Sequence, residues 1–469
     1  MKKPIIFLCL LVSLIMVSGC TQNKTADDAN KDTKWDTIYN AYVYAFPLVM
    51  VNATMEKMTN TVEPTTTQAP INQLFHSRNL ANASAKDVVT LNTDTLYSQA
   101  FLDLSDKAMV FVMPQSDRFC SGEIMDAYTN AIKIVGSGSD TPEQTTYLLT
   151  GPNYIGVIPE NMTQVSMPTN MGWIIGRVLS YGEEDLENVY ALQSQMQLIP
   201  LDNYLSGEAY TPPQGTYSAD NDFIPVEQVL AMTPTDFFNT ANELMTANPP
   251  TAADDALIKK ISVIGVGPGL HFNASVLGDS GASNWKTMMA DLQSTLTKDS
   301  QKFLVTWNNW KFFGEPVAEF GTEYDYRALI ALNGLGANPV SVAIYPNSNT
   351  DSNGNTLSGT NYYTIHFDKS ALPPVKDKGF WSITAYDSNN FLIDNPINRY
   401  SINDRSAVTY NEDGSLDILL QTQAPDDATL ANNWLPISDG DFHLYLRVYL
   451  PQDSVLKGEW NPPSITKTN

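Results

Sequence analysis

The chain has 469 residues, 43% apolar and only 17% charged, long enough for two or three domains and too apolar for disorder. Its formal net charge of −24 repels phosphate backbones, which excludes nucleic acid as a partner. Trp, Tyr and Phe reach 10%, with Pro and Gly spread evenly, a composition that favours β-sheet with many turns.

Lys2 and Lys3 form a positive start, and Ile5–Val17 an apolar run too short to span a membrane comfortably. "VSGC" at Val17–Cys20 has the form of a bacterial lipobox, ending on the cysteine that receives acyl chains such as palmitate. Residues 1–20 are therefore expected to be a lipoprotein signal. The expected location is extracytoplasmic, anchored through lipidated Cys20 to the cell membrane or outer membrane. Thr21 is no aspartate, so no inner-membrane retention signal is visible. Polar residues 21–34 are expected to form a flexible tether. Cys9 leaves with the signal, so Cys120 alone remains free and no internal disulfide can form.

Trp35 to Thr61 reads as a helix from the spacing of Trp35, Ile38, Tyr39, Tyr42, Ala45 and Phe46, kinked or ended in part by Pro47. A polar loop with prolines follows, and Asn92 to Ile158 reads as short strands and turns. "NMGWIIGRVLSYG" is expected to give one more strand pair. From Glu183 the texture turns helical through "EEDLENVYALQSQMQLIPL", the stretch from Pro225 to Val266 and "NWKTMMADLQSTLTKDSQKFLVTW". Strands return from Trp310 onward, divided by Gly/Asn/Asp clusters as in an antiparallel sandwich. The expected organisation is a β-rich domain at 35–182, a helical connecting region at 183–309 and a β-sandwich domain at 310–469. The fold class is mainly β with helical insertions (α+β), built on two dissimilar antiparallel β-sandwich-like domains.

Standard metal and nucleotide patterns are missing. His76, His271, His366 and His443 stand apart, and no HExxH or CxxC occurs, so no metal site is expected and the cofactor stays unknown. "SNTDSNGNTLSG" at Ser348–Gly359 resembles a calcium loop without its closing glutamate and reads better as a hairpin loop. "GVGPGL" at Gly265–Leu270 lacks the Lys-Ser/Thr of a phosphate loop, and there is no GxSxG elbow.

The polar stretch "LNTDTLYSQAFLDLS" at Leu91–Ser105 is the richest candidate. Asn92, Asp94 and Thr95 suit a turn that caps a strand. They also suit chemistry, with Asp94 as a general base or cation ligand and Asn92 and Tyr97 donating to a substrate oxygen. "DRFCSGEIMDAYTN" adds Asp117, Arg118, Asp126, Tyr128 and Asn130. If the strands bring Asp94 and Asp126 together, paired carboxylates would suit acid–base work. A second polar-aromatic set includes Arg327, Asn361, Trp381, Tyr386, Asn395, Arg399, Trp434, Arg447 and Tyr449. Arginines flanked by aromatics either brace a sandwich or hold a flat polar ligand such as a sugar.

The stretches "LNTDTLYSQAFLDLS", "DRFCSGEIMDAYTNAIKIVGS", "YLLTGPNYIGVIP" and "PTNMGWIIGRV" resemble the bacterial and archaeal "domain of unknown function 1254". "FGTEYDYRALIALNGLGAN", "LSGTNYYTIHF", "GFWSITAYDSNNFLIDNPINRYSI", "NWLPISDGDFHLYLRVYLP" and "WNPP" resemble its usual partner, the "domain of unknown function 1214". The resemblance spans Trp35 to Pro463. It implies two different β-sandwich-like domains with helical segments around them, and leaves function open. The polar positions it carries over include Asn92, Asp94, Thr95, Tyr97, Arg118, Asp126, Asn130, Arg177, Arg327, Trp381 and Arg399. Where the family often has a tyrosine pair, this chain has Phe119 and Cys120.

Three readings follow. The first is a lipid-anchored envelope protein that binds a polar or carbohydrate-like ligand, or a partner, with Asn92, Thr95, Tyr97, Arg118, Asn130, Arg177, Arg327, Trp381 and Arg399 as ligand-binding candidates. The second is an extracytoplasmic hydrolase with Asp94 and Asp126 as catalytic carboxylates. The third is a structural envelope or assembly protein. The sequence is compatible with a homo-oligomer.

Overall fold

The computed structural model describes residues 26–468 apart from 87–88, 279–284, 286–289, 291–293, 295 and 299, with side chains described from Trp35. The expected signal segment, Cys20 and part of the helical stretch from Asn284 lie outside the described residues. Helix α1 (Ala26–Met58) starts inside the stretch expected as a tether and runs without interruption through Pro47. Its residues from Ala41 to Val51 are buried. Packing on all sides holds the turn that lacks the proline N–H, where propensity alone predicts a kink.

The N-terminal strands are β1 (Phe75–His76), β2 (Thr95–Asp103), β3 (Met109–Val112), β4 (Cys120–Asp126), β5 (Ala131–Gly136), β6 (Thr146–Thr150), β7 (Thr163–Ser166), β8 (Met171–Leu179) and β9 (Gln197–Pro200). They form an antiparallel sheet in the order β1-β2-β8-β4-β5 and a second sheet in the order β7-β6-β3-β9. Alternation sets the layers. Leu96, Ala100 and Leu102 of β2 and Ile174 and Val178 of β8 face the second sheet. Phe101, Trp173 and Ile175 face the opposite way, onto helices. The glycine-containing run expected to be a strand pair is one central strand, β8. A Cβ on Gly176 would come within 2.8 Å of the Ser98 carbonyl, so this glycine permits close strand approach and marks no turn.

The middle of the chain supplies α2 (Leu186–Gln193), α3 (Leu201–Ser206), α4 (Pro225–Ala231), α5 (Pro234–Ala247) and α6 (Asp255–Ile261). The "QLIP" end of the first helical run is β9, which pairs with β3. A further helix, α7 (Tyr324–Asn333), lies where only strands were expected. It packs with α1 and α4–α6 against the outer face of the first sheet.

The C-terminal strands are β10 (Leu304–Trp307), β11 (Trp310–Phe313), β12 (Ala343–Ile344), β13 (Asn347–Ser348), β14 (Tyr363–Phe367), β15 (Val375–Asp387), β16 (Ser401–Asn403), β17 (Leu416–Gln421), β18 (Trp434–Pro436), β19 (Phe442–Pro451) and β20 (Ile465–Lys467). One sheet is centred on the β15–β19 pair and a four-stranded sheet, β18-β17-β14-β20, packs over it around Ile365, Ile383, Ile418 and Leu446. The Ser348–Gly359 loop is a hairpin closed by a Thr350–Thr356 bridge, with Asp351 accepting from Asn353 N and Asn355 N inside it. The protein is mainly antiparallel β with helical insertions. A small apolar cluster of Phe119, Leu179, Val342, Phe380 and Tyr449 joins the two β parts. No helix among the described residues is long and apolar enough to cross a membrane.

Candidate functional site

The Leu91–Thr95 segment is a clasp on the C-terminal sheet. Asp94 is buried. Its Oδ1 lies 2.6 Å from Arg405 Nη2, and its Oδ2 accepts from Ser382 Oγ at 2.5 Å. Asn92 turns the chain by accepting from Asp94 N at 2.7 Å, while its amide donates to Thr95 Oγ1 and to Tyr449 Oη at 2.8 Å. Arg447 donates to the Thr90 carbonyl and to Tyr386 Oη, and Tyr386 donates to the Leu91 carbonyl. The turn reading holds for Asn92, while the Asp94 carboxylate is bonded across to the C-terminal sheet. It is neither bonded chiefly to its own turn nor open to water.

Asp126 sits at the other end of the same sheet. It accepts from Tyr128 N, Asn130 N and Asn130 Nδ2, each at 2.9 Å, an Asx turn at the end of β4. On β8 the residue opposite Thr95 is Leu179 and the residue opposite Asp126 is Gly172. Seven residues of strand, about 23 Å at 3.3 Å per residue, separate the two carboxylates. They cannot act as a catalytic pair.

Arg177 and Tyr97 meet between these ends. Arg177 Nη1 donates to Glu123 Oε2 at 3.0 Å and to Asn338 Oδ1 at 2.9 Å, and Nη2 donates to the Gly336 carbonyl at 2.7 Å. The guanidinium lies 5.8 Å from the Tyr97 ring. Burial pushes Glu123 up to about 7 against the pull of Arg177. Its Oε1 and Ser121 Oγ have no hydrogen-bond partner among the described residues.

The other candidates disperse. Arg118 pairs with Asp185 and covers the Tyr181 ring at the surface. Arg399 braces the Ala431 and Trp434 carbonyls. Trp381 is buried in the C-terminal core beside Phe367. Phe119 packs edge-on against Phe380 and Tyr449, so no phenol is needed there. Burial pushes the Cys120 thiol up to about 12, which leaves it inert as a nucleophile.

Arg327 is different. It projects from α7, is only 3% exposed, and its guanidinium is ringed by Tyr44 of α1 (5.2 Å), Tyr128 (5.3 Å) and Tyr324 (5.2 Å). Its Nε and Nη2 have no hydrogen-bond partner among the described residues, nor do Tyr44 Oη, Thr129 Oγ1 and Trp173 Nε1 of the same layer. Tyr324 Oη donates to Asp254 at 2.9 Å. Burial raises Asp126, which also feels the Arg327 charge. Two clefts open elsewhere. One of about 370 Å³ is lined by Lys86, Asp387, Asp394 and Asp439 of the C-terminal surface. Orphaned buried polar groups point more directly to a ligand than a shallow groove does, and Arg327 alone carries two of them. Among the described residues no group of three His, Cys, Asp or Glu side chains is set to hold a metal ion.

Residues 71–200 match the family model "Protein of unknown function (DUF1254)", and residues 342–453 match "Protein of unknown function (DUF1214)". The chain belongs to the two-domain DUF1254–DUF1214 family. This DUF1254–DUF1214 protein is similar in fold to the VPA0106 protein from Vibrio parahaemolyticus, at 21% identity and a TM-score of 0.69, covering 93% of this chain and all of that one. An uncharacterized protein from Burkholderia cenocepacia aligns over 93% of this chain and 94% of its own at 12% identity, with a TM-score of 0.41. No curated protein matches the chain. The clasp and Asp126 fall within the DUF1254 match, Ser382, Arg405 and Arg177's neighbour Tyr345 within or beside the DUF1214 match, and Arg327 between the two.

Several of these residues carry no sequence signal as a site. Arg405, Ser382 and Asn403 are ordinary polar residues some 300 positions from Asp94. Tyr44 sits in an apolar helix. Glu123 was the one signal within reach, a carboxylate on a fully buried strand.

Proposed function

We propose that this protein is a lipid-anchored envelope protein that binds a small polar ligand in the layer between the first sheet and the helices. The observation that carries the reading is Arg327. A buried guanidinium costs several kcal/mol unless its donors are met. Three aromatic faces return only about 0.5–2 kcal/mol each, and the Nε/Nη2 edge stays unmet. An unmet guanidinium edge set among tyrosine rings forms a surface suited to a compact, acceptor-bearing molecule. Anchoring through acylated Cys20 follows from the lipobox and agrees with an acidic chain that anionic head groups would otherwise repel.

The separation of Asp94 from Asp126 removes the basis for a hydrolase built on that pair. Trp381 and Trp434 are buried, so neither offers an exposed aromatic face to a glycan. Titrating the mature chain with a library of small polar molecules while following tryptophan fluorescence tests the reading. Saturable binding that disappears in Arg327→Met is expected. Binding unaffected by that change would refute the site.

A further inference from the structure

We infer that the Arg327 box selects an oxyanion, a carboxylate above all, gripped by one edge of the guanidinium; this rests on the reading above and names its ligand class. Nε–H and the Nη2 group lie along the same edge of the planar guanidinium. The two atoms without partners are therefore the pair that a carboxylate bridges with two parallel hydrogen bonds.

The other unmet groups in the layer point the same way. Arg327 and Trp173 can only donate, and Thr129 has a hydroxyl hydrogen free, while Tyr44 Oη is turned toward Tyr128. The nearby carboxylates are already occupied. Asp126 is held by Tyr128 and Asn130, and Asp254 by Thr251 and Tyr324. Neither forms an ion pair with Arg327 within 4.0 Å, so among the described residues the positive charge has no counterpart at contact distance. A neutral polyol would bring hydroxyl hydrogens into a layer whose unmet groups are donors. A carboxylate brings lone pairs only. The three rings keep water from the fork and strengthen the charged hydrogen bonds.

The test uses the mature full-length chain at constant ionic strength, following the thermal midpoint with benzoate, acetate and inorganic phosphate against benzamide, acetamide and glucose. A saturable rise with the carboxylates and none with their amides is expected. Arg327→Lys, which keeps the charge and loses the fork, should weaken the response at least tenfold. Should that variant fail to fold, Tyr44→Phe, which keeps the ring, should weaken it about threefold. Equal response to carboxylate and amide, or full affinity in both variants, overturns the inference. Binding of glucose or the amides alone overturns the ligand class and leaves the site standing. No saturable response to any probe overturns both.

Discussion

Asp94 and Arg405 lie 311 residues apart in sequence and 2.6 Å apart in space. Their pair ties the first turn of the N-terminal sheet to the edge of the C-terminal one. Breaking a buried pair by removing one partner leaves an unmatched charge. Asp94→Asn should therefore lower stability by about 3 kcal/mol. Arg405→Gln in the same background should return part of that loss. Urea denaturation of the two single variants and the double variant measures the coupling. Additive losses would mean that the two residues act independently.

Glu123 gives the fold a pH dependence of defined sign. Its carboxyl is raised from 4.5 to about 7 by burial. Between these values the folded state holds a proton that the unfolded chain has released. This contribution to stability is full below about 4.5 and is lost as pH rises through about 7. Glu123→Gln keeps an acceptor for Arg177 and removes the titration. The variant should gain on the wild type from pH 5 to about pH 7 and level off above it, measured as the difference in urea midpoints. A constant difference would refute the assignment.

His443 acts in the opposite direction. It is stacked on Tyr386 at 5.5 Å, and burial lowers it from 6.5 to about 4. The unfolded chain binds the proton first, so stability is lost as pH falls from about 6.5 towards 4. His443→Phe should flatten the acid limb of the stability profile, as thermal scans across that window will show.

Gly176→Ala should cost about 2 kcal/mol, the scale of overpacking in a core. The added methyl group meets the Ser98 carbonyl at 2.8 Å across the β2–β8 ladder. Hydrogen exchange should show faster opening along β2 and β8, with the C-terminal sheet unchanged.

Much of this was legible from local pattern. The β2 alternation, the β19 run and the Asn92–Asp94 turn all follow from short-range rules of strand pairing and Asx geometry. What was not legible was long-range. Nothing near Asp94 names Arg405. Gly172 and Gly176 look like breakers until a neighbouring strand is seen pressed against them. Pro47 reads as a kink until the layer around α1 is in view. The site followed the same rule. Arg327 was readable as an arginine among aromatics, but the ring of Tyr44, Tyr128 and Tyr324 draws on three separate stretches of the chain.

The most direct measurement of the central claim is native mass spectrometry of the protein, purified gently from cells that make it. The account predicts a wild-type species heavier than its covalent mass by one small bound molecule, and an Arg327→Lys protein that has lost that mass. Wild-type and variant proteins that both carry no bound mass, or carry the same one, would contradict it.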